Sequence, residues 1–467
     1  MHGAPEQQSV SVFTDSWTWI PLTHVKDVEA LKLALTVPNG AYFASMNAGL
    51  PTNVDSEFFC YTIEDGYIGV PRNFAYEKFL IHEVPVTVGP ARQMSPWDSW
   101  PHRIELRDGQ APAVDSLLEP GDKILSLACG KGKSVVSLYA LCQQPEIRLP
   151  ALIVVHTKVL MEQWVKMIRT HLRMGLARVG RIQGKTVDYR GRPFTVAMLQ
   201  SLVKKEYPAD MMHYFNTIVF DEIHRLGAPG FSQAAPMFTA QRWGLSATHS
   251  RKDGNDKVFK LHCGRVAYTD LTQELKPKVY FIQTEIVVNM RAHQMWRDRT
   301  KINFAKLLNT LSYDEERNRL IMYYVNKAMA KDRTVLVLGE RVEQLTALAE
   351  ECGEKASPLV GPMKAAERTK ALKNQTVFAT AALAKEGLDR PAFDTLVIII
   401  PTTNPAWLQQ ALGRILRKYG DKQQPKVLIF EDVNVPPMQK RCDKVRVWLR
   451  TQKIKSKTVK GGIDGRD

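Results

Sequence analysis

Short β-rich runs alternate with helical stretches along most of the chain, and this alternation predicts parallel sheets covered by helices. The first series of predicted strands covers residues 123–127, 151–156, 195–199, 217–220 and 242–246. The second series covers residues 334–338, 376–379, 395–400 and 426–430. The simplest account of the pattern is an α/β fold with two parallel-sheet lobes in tandem.

The N-terminal part of the chain has a different pattern. Residues 1–98 are predicted to form a small α+β accessory domain, in which 58–63 and 67–70 make a hairpin around the turn Asp65-Gly66. Two prolines and several small polar residues at 94–101 predict a linker that leads into the first lobe.

The remaining boundaries follow from the two strand series. The first lobe is predicted at 99–270 and the second at 331–449. Between them, 271–330 is predicted to hold a strand at 276–288 and helices at 291–311 and 314–330. The basic tail, 450–467, is expected to be frayed, and its lysines either bind phosphates or keep the chain end soluble.

The amino-acid composition indicates a polyanionic partner. The chain of 467 residues has a formal net charge of +16 and an estimated pI of 9.4, which makes nucleic acid the first candidate. Residues 1–100 carry only 5 Lys/Arg against 11 Asp/Glu. The basic surface therefore belongs to the two later lobes.

Cysteine spacing and hydropathy narrow the class of protein further. The six cysteines form no CxxC pair, so neither a zinc site nor a disulfide framework is indicated. The first 15 residues are polar, and no apolar run approaches the roughly 20 residues that a membrane helix needs. We expect a cytoplasmic protein without a membrane partner.

A glycine-rich segment follows the first predicted strand and opens a helix, which is the setting of a phosphate-binding loop. Backbone N–H groups and the helix N-terminus favour an anion, the lysine reaches the β and γ oxygens of ATP, and the serine hydroxyl binds Mg²⁺. Leu127 stands where the strict pattern has its first glycine. The predicted nucleotide-binding residues are Cys129, Gly130, Lys131, Gly132, Lys133 and Ser134.

Two adjacent carboxylates end the predicted strand at 217–220. Asp221 stands where it can hold a phosphate-bound Mg²⁺ together with Ser134, and Glu222 where it can polarise the attacking water. His224 lies two residues further along, beside the nucleotide. Lys133, Asp221 and Glu222 are therefore predicted catalytic residues of an ATP hydrolase.

The second lobe contributes two arginines. Arg414 and Arg417 are three residues apart, a spacing that puts both on one face of a helix. If this face meets an ATP held by the other lobe, the two guanidinium groups would neutralise transition-state charge, an effect worth roughly 10³ to 10⁵ in rate. Taken alone, the pair is also compatible with a solvated basic helix face.

In their order along the chain, these motifs resemble the superfamily 2 helicase and translocase core, and are most similar to its XPB-like and phage UvsW-like branch. The fold that the resemblance implies is two RecA-like lobes with ATP between them. His156, where the family often has proline, and Met198, where it usually has threonine, depart from the pattern. The segments that carry the resemblance are 127–134, 155–164, 221–224, 244–254, 386–389 and 410–417.

The resemblance also implies residue roles that composition does not show. Arg107 and Gln110 are implied to recognise the nucleotide base, Gly387 and Asp389 to bind the nucleotide, and Gln410 to act with the two arginines in catalysis. Residues implied to line the nucleic-acid path are Thr157, Lys158, Gln200 and Ser201 in the first lobe, and Thr380 and Glu386 in the second.

The function implied is an ATP- and Mg²⁺-dependent DNA helicase that works on forked or branched DNA as a monomer tracking one strand, in a host cytoplasm if it comes from a phage. The alternatives are a double-strand translocase or restriction-type motor subunit, an RNA helicase, and a nucleotide-gated scaffold. N-terminal aromatic residues such as Trp17, Trp19 and Phe43 either stack on bases at a DNA junction or form the core of a scaffold domain.

Overall fold

A computed structural model describes residues 11–47, 52–82, 86–88, 96–97, 100–247, 256–273, 275–296, 298–361, 363–385, 388 and 390–462. The chain divides into two compact units, Met1–Leu271 and Thr272–Asp467. Among the described residues, no helix has both the length and the apolar character that crossing a membrane requires.

The N-terminal part of the first unit is a small mixed sheet in the order β5-β6-β2-β1-β7, beside a two-stranded sheet of β3 and β4. Its strands are β1 (Val12–Thr14), β2 (Thr18–Pro21), β3 (Thr36–Pro38), β4 (Glu57–Phe59), β5 (Thr62–Glu64), β6 (Tyr67–Val70) and β7 (Val86–Val88). Its helices are α1 (Val28–Ala34) and α2 (Gly40–Asn47), with 3-10 turns at Leu22–His24 and Glu77–Phe79.

The predicted hairpin around Asp65-Gly66 is present. Strands β5 and β6 pair antiparallel with Glu64 opposite Tyr67, and the two turn residues have φ of +46° and +80°. Positive φ at both positions is the turn that matches the twist of adjacent strands. The hairpin begins at Thr62 rather than at residue 58, because Phe58 lies in β4 and pairs with Val37.

The rest of the first unit is an eight-stranded sheet in the order β11-β10-β12-β9-β13-β14-β8-β15, parallel except for β11. Its strands are β8 (Lys123–Leu127), β9 (Ala151–Val155), β10 (Val179–Gln183), β11 (Thr186–Asp188), β12 (Phe194–Met198), β13 (Thr217–Asp221), β14 (Gln241–Ser246) and β15 (Arg265–Asp270). Its helices are α3 (Ala111–Leu118), α4 (Lys133–Gln143), α5 (Pro145–Arg148), α6 (Lys158–Leu172), α7 (Leu199–Leu202), α8 (Met211–Tyr214), α9 (Pro229–Ser232) and α10 (Asp256–Cys263), with 3-10 turns at Leu176–Arg178 and Ile223–Gly227.

The second unit is a seven-stranded, all-parallel sheet in the order β18-β19-β17-β20-β21-β16-β22. Its strands are β16 (Lys278–Val287), β17 (Val335–Gly339), β18 (Ala356–Leu359), β19 (Thr376–Thr380), β20 (Thr395–Ile398), β21 (Lys426–Asn434) and β22 (Ser456–Lys460). Its helices are α11 (Phe304–Tyr313), α12 (Glu315–Met329), α13 (Val342–Glu351), α14 (Ala365–Ala371), α15 (Ala381–Lys385), α16 (Pro405–Ile415) and α17 (Pro436–Thr451), with 3-10 turns at Met290–His293 and Gly353–Lys355.

Both large sheets are RecA-like parallel sheets, so the α/β prediction is confirmed. All nine predicted strands of the two series are present, with ends that differ by a few residues at most, except that β21 continues to Asn434. Strands β8, β9 and β12 are buried along their whole length. Continuous burial is expected where helices cover both faces of a sheet.

Two predictions of secondary-structure bounds in the second unit are wrong. The tail is not frayed throughout, because 456–460 forms β22 and pairs in parallel with β16. The helix predicted over 291–311 begins only at Phe304, where the Asn303 side chain accepts a hydrogen bond from the Lys306 backbone N–H. The residues before it form a 3-10 turn and a loop.

Of the predicted linker 94–101, residues 94, 95, 98 and 99 lie outside the described residues. The two tryptophans in the described part, Trp97 and Trp100, pack against the core of the first lobe. The Trp100 ring meets Phe194 edge-on, with ring centroids 5.8 Å apart.

Two arginines tie the N-terminal sheet to the large sheet of the first unit. The Arg72 guanidinium donates to both carboxylate oxygens of Asp122, each at 2.9 Å, and to the carbonyl oxygens of Asp15, Thr239 and Ala240. Fully buried Arg242 donates to the carbonyl oxygens of Ser16, Phe238 and His262.

This pair of arginines is held at an electrostatic cost. Burial, together with the neighbouring Arg72, lowers the pKa of Arg242 to about 9, and Asp122 acts in the opposite direction. The Ser16 carbonyl oxygen of the N-terminal segment therefore helps to solvate a buried cation of the first lobe. The N-terminal sheet also packs against that lobe, because Val258 and Leu261 of α10 belong to the apolar core of the N-terminal part.

We predict that Arg72→Met destabilises the first unit by roughly 3–5 kcal/mol, because it leaves the buried Asp122 carboxylate without its bidentate partner. Thermal unfolding would measure the loss, and limited proteolysis would show whether 11–88 becomes accessible first. Lys26→Met, at an exposed position of the same sheet domain, is the matched control and should change stability by less than about 0.5 kcal/mol. Equal melting of the two variants would contradict the prediction.

Candidate nucleotide site and nucleic-acid path

The predicted phosphate loop connects the end of β8 at Leu127 to the first residue of α4, Lys133. Gly130 and Gly132 have φ of +89° and +80°, a left-handed conformation that residues with a Cβ rarely adopt. A Cβ on Gly132 would also come within 2.5 Å of the Gln110 amide nitrogen. Both the backbone conformation and the available space therefore require glycine at position 132.

Gln110 connects the predicted base-recognition segment to this loop. Its Oε1 accepts a hydrogen bond from the Arg107 backbone N–H at 2.8 Å, and its Nε2 donates to the Lys131 carbonyl oxygen at 2.8 Å. The Arg107 guanidinium donates to the Gly130 carbonyl oxygen at 3.4 Å. The structure thus places Arg107 and Gln110 against the phosphate loop, and their contact with a base stays a prediction.

The loop is also held from the opposite side, by the last residue of β15. The Ala128 backbone N–H donates to the Asp270 carbonyl oxygen at 2.8 Å, and Lys131 Nζ lies 3.1 Å from Asp270 Oδ2. Lys133 Nζ donates to the Leu127 carbonyl oxygen at 3.2 Å. Cys129 and Ser134 are half-buried on the same turn. The loop therefore has a defined conformation, with its two lysines engaged by oxygen atoms.

The carboxylate pair lies at the end of β13, on the same edge of the sheet as the loop. Asp221 ends the strand, and its Oδ1 accepts a hydrogen bond from the Glu222 backbone N–H at 3.0 Å. Glu222 adopts a left-handed conformation with φ of +53°. His224 Nδ1 lies 3.4 Å from Glu222 Oε2. The three predicted residues are thus close together, and the strained backbone at Glu222 turns the chain sharply after Asp221.

Trp164 is a residue of this site that sequence reasoning missed. It projects from α6, and its indole Nε1 donates to Asp221 Oδ2 at 2.8 Å. Its place on the buried face of an amphipathic helix, between Met161 and Val165, looks like ordinary core packing in the sequence. The only available signal is the indole N–H, since a buried tryptophan usually finds an acceptor.

The environment of Asp221 opposes its charge. Burial raises the pKa of Asp221 above its usual range, and the Glu222 carboxylate raises it further. The hydrogen bond from Trp164, together with the charges of Lys133 and His156, acts in the opposite direction. A buried carboxylate that is only partly compensated is a favourable place for a divalent cation.

The turn after Asp221 depends on a glycine in the neighbouring strand. Gly244 of β14 lies opposite Phe220 of β13, and a Cβ at position 244 would come within 2.0 Å of Ile223 Cδ1. Ile223 is buried directly after Glu222. Glycine at 244 therefore leaves room for the side chain that fixes the carboxylate turn. Ser246 ends β14, Ala247 follows it, and Thr248 lies outside the described residues.

The predicted nucleic-acid residues of the first lobe lie at the same edge of the sheet. Val155 and Met198 pair at the ends of β9 and β12, so the segments that follow them are neighbours. Gln200 Nε2 donates to the His156 carbonyl oxygen at 2.8 Å. Thr157 caps α6 by accepting from the Leu160 backbone N–H, and Lys158 is the first residue of that helix. The Ser201 hydroxyl accepts from the Gly184 backbone N–H at 3.1 Å.

In the second lobe, Thr380 ends β19, and Gln410 is half-buried on α16. Arg414 is on the last turn of α16 and donates to the Leu388 carbonyl oxygen at 3.1 Å. Since α16 ends at Ile415, Arg417 lies in a bend beyond it, so the expectation that both arginines share one helix face is wrong. Three further predicted residues, Glu386, Gly387 and Asp389, lie outside the described residues. The arginine-finger role stays a prediction.

The N-terminal aromatic residues divide into buried and exposed groups. Trp17 is buried, and its ring packs edge-on against His262 with centroids 5.8 Å apart, which removes it from the candidates for base stacking. Trp19 donates from its indole nitrogen to Asp15 and stacks on Phe13. Phe43 is 47% exposed and stays a candidate for base stacking.

Two families match this chain, one in each lobe. Residues 103–251 match the family "Type III restriction enzyme, res subunit", and residues 286–419 match the family "Helicase conserved C-terminal domain". Together the two matches cover more than half of the chain.

Curated relatives and a solved structure agree with these matches. A "Putative ATP-dependent RNA helicase L396" from Acanthamoeba polyphaga mimivirus is 28% identical over 87% of this chain and 79% of its own length. A "DNA 3'-5' helicase XPB" from Mycobacterium tuberculosis is 26% identical over 68% of this chain and 59% of its own length. A structure of Mss116p bound to ssRNA and AMP-PNP shares the fold with a TM-score of 0.54 at 17% identity, over 76% of this chain and 75% of the other.

The chain belongs to the superfamily 2 helicases, enzymes that hydrolyse ATP and act on nucleic acid. Within that superfamily it is of the XPB-like type, as its motifs indicated.

We predict that Trp164→Phe raises the Mg²⁺ concentration needed for half-maximal ATPase activity roughly 10- to 100-fold. The reason is that the sequence predicts Asp221 as a Mg²⁺ ligand and that the Trp164 indole orients its carboxylate. The measurement is the Mg²⁺ concentration for half-maximal ATPase activity, together with binding of a fluorescent ATP analogue with Mg²⁺ or with EDTA. Binding in EDTA should stay unchanged, because the ring is retained and only the N–H is lost.

Trp243→Phe is the matched control, because Trp243 is fully buried in the same lobe and its indole nitrogen has no hydrogen-bond partner among the described residues. The same shift in both variants would attribute the effect to packing and contradict the positioning role of Trp164.

Proposed function

We propose that this protein is an ATP- and Mg²⁺-dependent DNA helicase that remodels forked or branched DNA. The observation that carries the proposal is the meeting of two motifs at one edge of one sheet. The phosphate loop follows β8, the Asp221-Glu222 pair follows β13, and only β14 separates these two strands. At the same edge, β9 and β12 end in the segments assigned to the nucleic-acid path.

The residues present fit ATP and Mg²⁺. The left-handed glycines Gly130 and Gly132 let the loop backbone turn sharply, and α4 begins directly after it with an N-terminus that favours an anion. Ser134 and Asp221 supply the hard oxygen ligands that Mg²⁺ prefers. When bound, Mg²⁺ neutralises charge on the β and γ phosphates. In this proposal Lys133 leaves the Leu127 carbonyl oxygen and moves to the phosphates.

Glu222 is the residue proposed to orient and polarise water. Its backbone is held in a left-handed conformation by the turn over Ile223, so its carboxylate is positioned separately from that of Asp221. His224, 3.4 Å from that carboxylate, is proposed to restrain it. In the second lobe, Gln410, Arg414 and Arg417 are proposed to complete the site when the lobes close, with Gly387 and Asp389 near the nucleotide.

Coupling to nucleic acid is proposed to run through α6. Its first turn carries Thr157 and Lys158, and the Trp164 indole on the same helix donates to Asp221. The bond from Gln200 to the His156 carbonyl oxygen joins the second nucleic-acid segment to the same helix start. A shift of α6 on strand binding would therefore change the position of the Asp221 carboxylate. Thr380 and Glu386 are the corresponding contacts proposed in the second lobe.

DNA is favoured as the substrate by the XPB-like motifs and by the names of several relatives, which are described as DNA 3'-5' helicases. Preference for branched DNA rests on the resemblance of the motifs to phage UvsW-like proteins. A second candidate is an RNA helicase, because the mimivirus relative, aligned over 87% of this chain, is described as one. We propose a monomer that tracks one strand in the cytoplasm.

We predict that Lys133→Ala abolishes ATP binding, whereas Glu222→Gln keeps ATP binding but lowers turnover at least about 100-fold. Both variants should bind a single-stranded oligonucleotide as the wild type does. Measurements are ATP hydrolysis, equilibrium binding of a fluorescent ATP analogue and oligonucleotide anisotropy.

Lys166→Ala and Glu162→Gln are the matched controls, since both side chains lie on the exposed face of α6 in the same lobe. Near-normal hydrolysis by Glu222→Gln would contradict the catalytic assignment. Loss of oligonucleotide binding in either site variant would show damage to the fold instead.

We predict that the protein separates a forked DNA and a four-way junction at least about tenfold faster than a flush DNA duplex, and faster than an RNA duplex with the same fork. Strand separation with ATP on the four substrates, side by side, measures the preference. Faster separation of forked RNA than of forked DNA would favour the RNA helicase. DNA-stimulated hydrolysis on flush duplex without strand separation would favour a double-strand translocase, the activity that the restriction-enzyme family match suggests.

A further inference from the structure

Trp296 is the most exposed large apolar side chain among the described residues, with 93% of its surface open to solvent. It lies in the loop 290–303, where sequence patterning predicted a helix. Single exposed apolar residues are normal on protein surfaces, and exposure alone assigns no role. Tryptophan, however, has one of the largest apolar surfaces of any side chain, so holding it in water on an ordered loop requires a reason.

The loop is ordered by its own hydrogen bonds. Buried His293 connects Nδ1 to the Asn289 carbonyl oxygen and Nε2 to the Thr310 hydroxyl, both at 2.8 Å. The Asn303 backbone N–H donates to the His293 carbonyl oxygen at 2.7 Å, and Gln294 forms an antiparallel bridge with Ile302. The base of the loop is thus closed on itself and fixed to α11.

Hydrogen bonds also flank Trp296 on both sides. The Met295 backbone N–H donates to the Lys301 carbonyl oxygen at 2.8 Å. Asp298 Oδ1 accepts from both the backbone N–H and the hydroxyl of Thr300, which restrains the segment 298–300. Trp296 is therefore exposed next to segments that are held by hydrogen bonds.

The charges around Trp296 indicate the kind of ligand. The sequence 290–303 contains three arginines and one lysine against a single acidic residue, Asp298. Arg291, Arg299 and Lys301 are exposed, and Asp298 is within 3.3 Å of Lys301. An aromatic ring among cations is the composition of surfaces that bind single strands, where the ring stacks on a base and the cations contact phosphates.

We propose that the loop 290–303 is a single-strand contact of the second lobe, in which Trp296 stacks on an unpaired base and Arg291, Arg299 and Lys301 contact the flanking phosphates. The proposal rests on the helicase assignment and adds a base contact outside the motif residues. A protein partner would also use an exposed tryptophan. The high positive charge of the loop favours the nucleic acid.

The test uses the full chain and three fluorescein-labelled probes of equal length: a thymidine single strand, a strand of abasic sites with the same phosphates, and a DNA duplex. Trp296→Ala should weaken binding of the thymidine strand roughly five- to 150-fold and leave binding of the abasic strand and the duplex unchanged. Trp296→Tyr, which keeps a stacking ring, should restore most of the affinity.

Two further variants separate stacking from charge and from surface apolarity. Arg299→Gln should weaken binding of the thymidine and abasic strands equally, because it removes a phosphate contact. Val287→Ala alters another exposed apolar side chain of the same lobe, 79% exposed, and should change nothing.

Equal loss on thymidine and abasic strands with Trp296→Ala would overturn base stacking, as would no loss on either. An unchanged strand affinity would leave a protein partner as the occupant of this surface. Basal ATP hydrolysis without nucleic acid should be normal in Trp296→Ala. Failure of this proposal is thereby distinguished from failure of the helicase assignment, which Lys133→Ala and Glu222→Gln test.

Discussion

The candidate site of the first lobe is arranged around one constraint: the Asp221 carboxylate lies at the buried end of a parallel strand. Burial and the adjacent Glu222 both oppose the charge of Asp221, and the Trp164 indole, Lys133 and His156 partly offset them. Each compensating group lies just beyond the end of β8 or β9, or on the helix that follows it, because parallel strands bring their carboxyl ends to one edge. The phosphate loop, the carboxylate turn and the start of α6 are consequences of that shared edge.

Sequence patterning predicted the central strands because full burial requires apolar runs that are easy to recognise. It missed β10, β11 and β15, which lie at or next to the ends of the first sheet and include half-buried or exposed positions. β22 was missed for a related reason. Its residues are almost all exposed, and only pairing with β16 makes them a strand. Pairing with a strand that is distant in the sequence cannot be predicted from local composition.

The candidate site shows the same division. Motif spacing predicted a nucleotide role for the glycines, Lys133, Asp221 and Glu222, because that chemistry requires particular residue types, and the structure brings these residues to one edge of the sheet. The role of Trp164 was not predicted. Its apolar neighbours on α6 have the same helical periodicity whether the face only packs or also orients a carboxylate. Gly244 was noted only as part of a motif, and its physical reason, the 2.0 Å approach of Ile223 Cδ1 to a Cβ there, requires coordinates. Arg417 was placed on α16 because sequence does not show that this helix ends at Ile415.

Buried Arg242 makes the N-terminal segment part of the hydrogen-bonding of the first lobe. A fully buried guanidinium needs acceptors, and one of its three carbonyl partners, that of Ser16, comes from the N-terminal segment. Any change that removes this segment therefore also takes one acceptor away from a buried charge inside the first lobe, at a cost of roughly 1.5–3 kcal/mol. A loss of DNA recognition after such a removal would not separate a recognition domain from a scaffold. Substitution of an exposed side chain of the N-terminal part, with Phe43 of α2 as the leading candidate, distinguishes the two roles without removing this segment.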